Sequence, residues 1–295
     1  MKKGFDRLKG VAAASAMGLG LLGGGSVRAV TVSTKISVGF NTNTWYSATS
    51  SSTIVAIPTE WMGIGNRSDM MSNESITTSG GFSLTANQSA FGIDDGQVRH
   101  YANAYDGAMF LAVGNNLFVN PDNTVDLTDY NLTTDTVVDI TPGVDAQIQY
   151  YFNPDRAVMR ALYSVTNTTG GDISTSLLVM GNYWSDANTT VQGTSDGDLI
   201  VEASDYWVAS NRFTGSPLDD YYPDTVISNH GAGAAVVPAV VMSPGTPAGG
   251  ASARTDNFGY RYDVTIPAGE TVRVMLFNEI TEVMSQALAD APDFE

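Results

Sequence analysis

Few residues of this chain are suited by type and spacing to do covalent chemistry. The pentamer "GTSDG", Gly193 to Gly197, has the Gly-x-Ser-x-Gly spacing of a nucleophile elbow, in which a sharp turn exposes the serine hydroxyl. Asp219, Asp220 or Asp224 followed by His230 supplies the Ser, Asp, His order of a hydrolase triad built on that elbow. The elbow demands a helix directly after the serine, whereas "DLIVEASDYWVAS" reads as strands. Ser, Asp and Gly are also what β-turns are made of, so Ser195 is read as a turn residue and no catalytic residue is assigned.

Metal chemistry is limited by the ligand supply. There are no cysteines, which excludes thiolate sites, and the two histidines, His100 and His230, form no H-x-H or H-E-x-x-H pair. Hard oxygen ligands are plentiful. Asp196 and Asp198 flank Gly197, and "NPDNTVDLTD" places Asn120, Asp122, Asp126 and Asp129 within ten residues. Carboxylates of this kind suit calcium, although neither spacing matches an EF-hand loop. Asp196, Asp198, Asp122 and Asp126 are therefore the metal candidates, with calcium as the cation and no cofactor required. The string "GLGLLG", Gly18 to Gly23, matches a dinucleotide fingerprint in letters only, since no strand precedes it and no acid follows at the right distance.

Aromatic residues make a second kind of candidate site. "TNTWY" (Trp45, Tyr46), "EWMG" (Trp61), "GNYWSD" (Tyr183, Trp184) and "SDYWVAS" (Tyr206, Trp207) each join rings to small polar residues. Rings that stack on a sugar face beside groups that bond its hydroxyls are a common way to hold carbohydrate, and the same rings also serve as core with one polar edge. Trp184, Trp207, Tyr183 and Tyr206 are the ligand-binding candidates, on strands near enough in sequence to be neighbours.

The first 29 residues have the layout of an export peptide. Lys2, Lys3, Arg7 and Lys9 form a basic start, residues 11–22 an apolar stretch, and Val27-Arg28-Ala29 a small-x-small cleavage signal. The apolar stretch is short for a bilayer, and no later one approaches about 20 residues, so the chain from Val30 onward is expected to be secreted or held at the cell surface without a membrane span. Of the 14 Lys and Arg, five precede Val30; of the 31 Asp and Glu, only Asp6 does. The remainder carries a formal charge of about −21, which repels nucleic acid and anionic lipid. Without cysteine it must be held together by its core alone, and residues 30–295 are enough to bury one as a single domain.

Strand patterns run through most of the chain. "FGYRYDVTI" puts Phe258, Tyr260, Tyr262, Val264 and Ile266 on one face, and after the turn "PAGE" the stretch "TVRVMLFNE" aligns Val272, Val274 and Leu276, which reads as a hairpin. "AQIQYYF" and "AVMRALYSVT" read as a second hairpin around "NPD", and "NTTGGD" is a turn leading into "ISTSLLVM". Further strands are read in "TVSTKISVGF", "TIVAI", "AMFLAV", "TVVDI", "DLIVEA", "YWVAS" and "AAVVPAVVM". Only residues 279–291, "EITEVMSQALADA", have helical spacing. The Pro- and Gly-rich residues 243–257 are read as a long surface loop. Short strands with polar turns and one C-terminal helix predict an all-β protein, a large antiparallel β-sandwich of jelly-roll or supersandwich type.

"ALYSVTNTTGGDIS" and "TIPAGETVRVMLF" resemble the strand-turn-strand and closing hairpin of secreted bacterial β-sandwich surface proteins. That resemblance covers about a tenth of the chain and implies an exported, surface-associated β-domain. The run Tyr163-x-Val165-Thr166-Asn167 is also similar to a strand of the galactose-mutarotase-like supersandwich, whose chemistry depends on a His and Glu pair; neither histidine here stands in a matching context. The functional expectation is a non-enzymatic structural or adhesion protein of a cell surface, matrix or filament. The alternative is a carbohydrate-binding module or a carbohydrate-active enzyme of supersandwich type. The partners expected are a glycan or further copies of the chain.

Overall fold

The structure, a computed structural model, describes residues 28–31, 36–39, 44–47, 60–67, 76–77, 83–84, 90–98, 103–121, 124–128, 130–185, 188–212, 222–242 and 256–295. Residues 1–27 of the export peptide, "TIVAI" and His100 lie outside them. Among the described residues no helix is long and apolar enough to cross a membrane.

Two antiparallel sheets pack together as a β-sandwich. The first runs Arg28–Thr31, Thr124–Thr128, Asn131–Thr134, Val144–Phe152, Val158–Asn167, Thr271–Thr281, Asp224–Ser228, Trp207–Arg212, Thr189–Thr194, with Val137–Thr141 also paired to Val144–Phe152. The second runs Val240–Met242, Asn257–Ile266, Ile173–Tyr183, Tyr105–Val113, Ala90–Val98, Glu60–Arg67, Ile36–Gly39, Thr44–Ser47. Cleavage after Ala29 would leave Val30 and Thr31 of the edge strand paired with Val125 and Thr124.

The period of two in the sequence becomes the inner face of each sheet. Ala146, Ile148, Tyr150 and Phe152 are buried, as are Met159, Ala161, Tyr163 and Val165 opposite them, and these two strands form the expected hairpin. Phe258, Tyr260, Tyr262, Val264 and Ile266 close the same core from the other sheet, while Asp263 and Thr265 face water. Alternation of this kind names the buried face but says nothing about the hydrogen-bonded neighbour.

That distinction overturns the hairpin read around "PAGE". Asn257–Ile266 pairs with Ile173–Tyr183, and Thr271–Thr281 pairs with Val158–Asn167, so the "PAGE" turn crosses from one sheet to the other. The "NTTGGD" turn crosses beside it. Glu270 N donates to Pro267 O across the first turn, with Gly269 at φ 72°, a backbone state that favours glycine. Asn167, wholly buried, stitches the two crossings: its Nδ2 donates to Gly171 O at 2.7 Å and to Ile266 O at 2.9 Å, and its Oδ1 accepts from Thr169 N at 2.8 Å. The two segments that carry the family resemblance are thus neighbours, strand against strand.

Three other expectations are corrected. "DLIVEA" is a looped excursion, because Asp196 and Asp198 turn the backbone with side-chain bonds before a ladder can form. In "AAVVPAVVM" only Val240–Met242 is strand; Pro238, which lacks an N–H, precedes it. The helix is limited to Met284–Asp290, followed by a 3-10 turn Ala291–Phe294, since Glu279 and Ile280 belong to Thr271–Thr281 and bond Val226 and Thr225 in the sheet.

One strand is interrupted where it crosses the middle of the core. Ala108 and Met109 together oppose Gly181, and Met109 takes φ 60°. This bulge turns the Met109 carbonyl inward, where the hydroxyls of Tyr163 and Tyr150 donate to it at 2.8 and 3.3 Å.

Candidate functional site

Ser195 lies where the Thr189–Thr194 strand ends, and no helix follows it. Its Oγ donates to Asp205 Oδ1 at 3.1 Å and accepts from Tyr206 N at 2.9 Å, so the hydroxyl pins the two ends of the loop together. Asp205, 1 % exposed, uses its other oxygen to accept from Glu202 N at 2.8 Å. His230 is buried, with Nε2 at 3.1 Å from Ala203 O and its ring edge-on to Tyr206. Asp219 and Asp220 are outside the described residues.

The acidic candidates are spread out. Asp196 Oδ1 accepts from Thr194 Oγ1 at 3.0 Å and Asp198 N at 3.2 Å, and the Asp198 amide with the Thr194 hydroxyl holds this exposed carboxyl below the ordinary aspartate range. Asp198 Oδ1 accepts from Ile200 N at 2.7 Å. Asp126 is exposed on a different strand, and Asp122 lies outside the described residues. Among the described residues no three His, Asp or Glu side chains gather closely enough to hold a metal ion.

The four aromatic candidates go to three environments. Trp207 is 7 % exposed and packs with Val158, Val226, Ala287 and Phe294 on the outer side of the first sheet, beneath the C-terminal helix; its Nε1 donates to Glu295 Oε1 at 3.3 Å. Tyr183 is 2 % exposed and packs its ring on Tyr105 and Phe258 in the main core. Tyr206 is half-buried against His230. Trp184 alone is exposed, at 40 %. It follows the last residue of a second-sheet strand while Trp207 begins one of the first, and the two strands are not paired, which corrects the expectation of neighbouring rings. The covering helix comes from the far end of the chain, which is why sequence alone left both tryptophans as surface candidates.

A small polar cleft lies between Tyr183 and Ser185, at the end of a second-sheet strand, and the edge strands of the first sheet. Its lining includes Asn103, Tyr183 and Ser185 together with Thr189, Ser210, Asn211, Arg212, Tyr222 and Thr225 of or beside the first sheet. The enclosed room is about 10 Å³, enough for roughly one water-sized group and too little for a sugar ring. Ser185 and Thr189 bond each other through their hydroxyls, and Ser210 Oγ lies 2.9 Å from Thr225 Oγ1. Burial pushes the Tyr183 phenol up to about 12, a rise that the Ser210 and Thr225 hydroxyls moderate. The Arg212 guanidinium lies over the Tyr222 ring at 4.3 Å. Asn211 Oδ1 is buried with no hydrogen-bond partner.

Sequence reading missed Asn211, Arg212 and Tyr222. The available signal was "VASNR", a strand that turns abruptly polar at its end.

No protein-family model matches the chain, and no curated protein matches it. Solved structures do match. One described as a kojibiose phosphorylase from the human microbiome is 9 % identical, covering 75 % of this chain and 27 % of its own, with a TM-score of 0.40. The heparan sulfate lyase HepC of Pedobacter heparinus is 11 % identical over 59 % of this chain and 22 % of its own, TM-score 0.34. A galactose mutarotase related enzyme of Lactobacillus acidophilus is 9 % identical over 76 % of this chain and 95 % of its own, TM-score 0.35. The chain thus spans about a quarter of the length of the first two. At these scores the likeness does not extend to any activity.

Proposed function

We propose that this chain is an exported, non-enzymatic β-sandwich that serves adhesion or assembly at a cell surface, in a matrix or in a filament. The observation that carries this reading is how Ser195 is held: its hydroxyl is committed to Asp205 and to the Tyr206 amide, in a loop whose bonds serve shape. A nucleophile needs a base free to take its proton. The acidic surface and the leader sequence support export. Two measurements test it. The mature protein recovered from outside the cell should begin near Val30, and it should show no turnover of ester or glycoside substrates. Retention in the cytoplasm, or turnover abolished by Ser195→Ala, overturns the reading.

A glycan as the adhesive partner is favoured by one feature. Trp184 stands exposed just beyond the end of Ile173–Tyr183, offering an apolar ring face to solvent. Binding on a glycan array that disappears in Trp184→Ala supports this; loss of that array signal with Trp207→Phe alone would locate the site elsewhere.

A further inference from the structure

A single exposed apolar side chain carries no message, but two adjacent ones in a strained and pinned loop do. Leu199 and Ile200 are 52 % and 59 % exposed in the loop between Thr189–Thr194 and Trp207–Arg212. Leu199 stands at φ 65°, a left-handed state costly for so bulky a side chain, two residues after Gly197, which takes the same region freely at φ 84°. Hydrogen bonds hold the pair in place: Leu199 N donates to Thr194 Oγ1 at 3.1 Å and Ile200 N to Asp198 Oδ1 at 2.7 Å. Were the loop's shape all that mattered, Asn or Gly at position 199 would give it without strain. Exposed Asp196, Asp198 and Glu202 flank the pair in the chain, so a surface that receives it must be apolar at its centre and cationic at its edge.

The chain itself carries such a surface. On the outer side of the first sheet, Val144–Phe152, Val158–Asn167 and Thr271–Thr281 set Gln149, Leu162 and Met275 in one row and Gln147, Ser164 and Arg273 in the next. Met275 is 46 % exposed, and Arg273 is exposed beyond it. In the row on the other side, Arg160 lays its guanidinium over Tyr151. No Asp or Glu takes an outward position on these three strands between Asp145 at one end and Glu279 at the other. Other arginines are engaged: Arg156 and Arg261 are paired with acids, and Arg212 lies over Tyr222.

Resting on the assembly reading, we propose that the loop carrying Leu199 and Ile200 in one copy docks on the face formed by Leu162, Met275 and Arg273 of the next. Two strands, Asp224–Ser228 and Trp207–Arg212, stand between that face and the edge strand that leads into the loop, so one copy presents the two halves at separate places. A contact between unlike surfaces leaves each pair with one half free at either end, and copies add head to tail into a filament. Apolar contact supplies the attraction. The meeting of acids with Arg273 and Arg160 sets which surfaces pair, because any other approach sets two chains of 31 acidic against 14 basic residues in mutual repulsion.

The test is sedimentation velocity of the protein in its exported form at rising concentration. The parent should grow through dimer and trimer to longer species. Leu199→Asn with Ile200→Asn should abolish growth, and so should Arg273→Glu with Met275→Thr, each leaving a species of one-chain mass. An equal mixture of the two variants should give dimers and nothing larger, because each pair then keeps one working loop and one working face. Should either variant fold poorly, the cysteine-free chain offers a second readout: Ile200→Cys and Met275→Cys chains, oxidised together in air, should yield the mixed disulfide dimer in excess over the two like ones. Undiminished growth of either variant defeats this inference and leaves the assembly reading standing. So does loss in both without recovery in the mixture, or a parent that stops at a dimer, since either means like surface meeting like. A parent that stays one chain at every concentration defeats the inference and the assembly reading together and leaves adhesion. Binding of that single chain to phosphatidylcholine vesicles, lost with Leu199→Asn and Ile200→Asn, would make the loop a lipid contact instead.

Discussion

The hydroxyl of Tyr163 donates a 2.8 Å hydrogen bond to the carbonyl oxygen of Met109, 54 residues earlier in the chain and on the opposite sheet. Met109 is 0 % exposed and stands at φ 60°, so its carbonyl leaves the ladder and would be stranded in the core without that bond. Tyr150 adds a longer one at 3.3 Å. Tyr163→Phe should lower stability by about 1–2 kcal/mol in urea unfolding, and Tyr150→Phe by less. The double change should cost more than the two single costs together, because only then is the carbonyl bare. Strict additivity would mean that the bulge does not depend on these hydroxyls.

The two turns that cross between the sheets depend on Asn167. Asn167→Ala removes donors to Gly171 O and Ile266 O and leaves the Ile266 carbonyl buried and unpaired. A loss of about 2–3 kcal/mol is expected. Asn167→Asp keeps the size and the acceptor but cannot donate, so it should be at least as damaging. A harmless Asn167→Asp would show that shape alone holds the turns.

Glu279 ties stability to pH. It is 2 % exposed beneath the C-terminal segment, and its Oε1 takes Arg156 at 2.9 Å; the same arginine reaches Asp293 at 3.1 Å. Burial pushes the carboxyl from the usual 4.5 up to about 8, against the pull of Arg156. Between those values the folded chain holds a proton that the unfolded chain has released. Stability therefore falls as pH rises through that window, by at most about 1.4 kcal/mol per pH unit from this group. Glu279→Gln should flatten that slope in melting curves taken at a series of pH values. Parallel slopes for the two proteins would exclude Glu279 as the source.

Gly181, opposite the bulge, has no room for a side chain. A Cβ there would come within 2.5 Å of Phe258 Cζ and 2.7 Å of Ala108 Cα. Gly181→Ala should destabilise by about 1–3 kcal/mol, since one of the two neighbours is backbone and cannot swing aside. Gly171→Ala, where nothing lies within 4 Å, is the control and should be close to neutral. Equal melting temperatures for the two variants would contradict the packing described.

How legible each part was in the sequence follows from what kind of force sets it. The inward residues of Val144–Phe152, Val158–Asn167 and Asn257–Ile266 were readable one by one, because pleating sends alternate side chains to opposite faces whatever the strand's partner. The "PAGE" segment was misread as a hairpin because a turn within one sheet and a turn between sheets use the same residues. Trp184 and Trp207 looked alike in sequence, each an aromatic after tyrosine in a polar setting. Only the packing of Met284–Asp290 and Phe294 on the first sheet separates them, leaving one exposed and one sealed.

By itself, then, the sequence determined that the chain is all-β, which side of its central strands is buried, and that Ser195 marks a turn, since each follows from local backbone geometry and the spacing of apolar groups. The tertiary structure decided which strands are neighbours, that Met109 needs two distant tyrosines, and that Trp207 is sealed while Trp184 stays exposed. Those relations join residues tens of positions apart, and hydrogen-bond pairing and burial between such residues exist only once the two sheets have closed on each other.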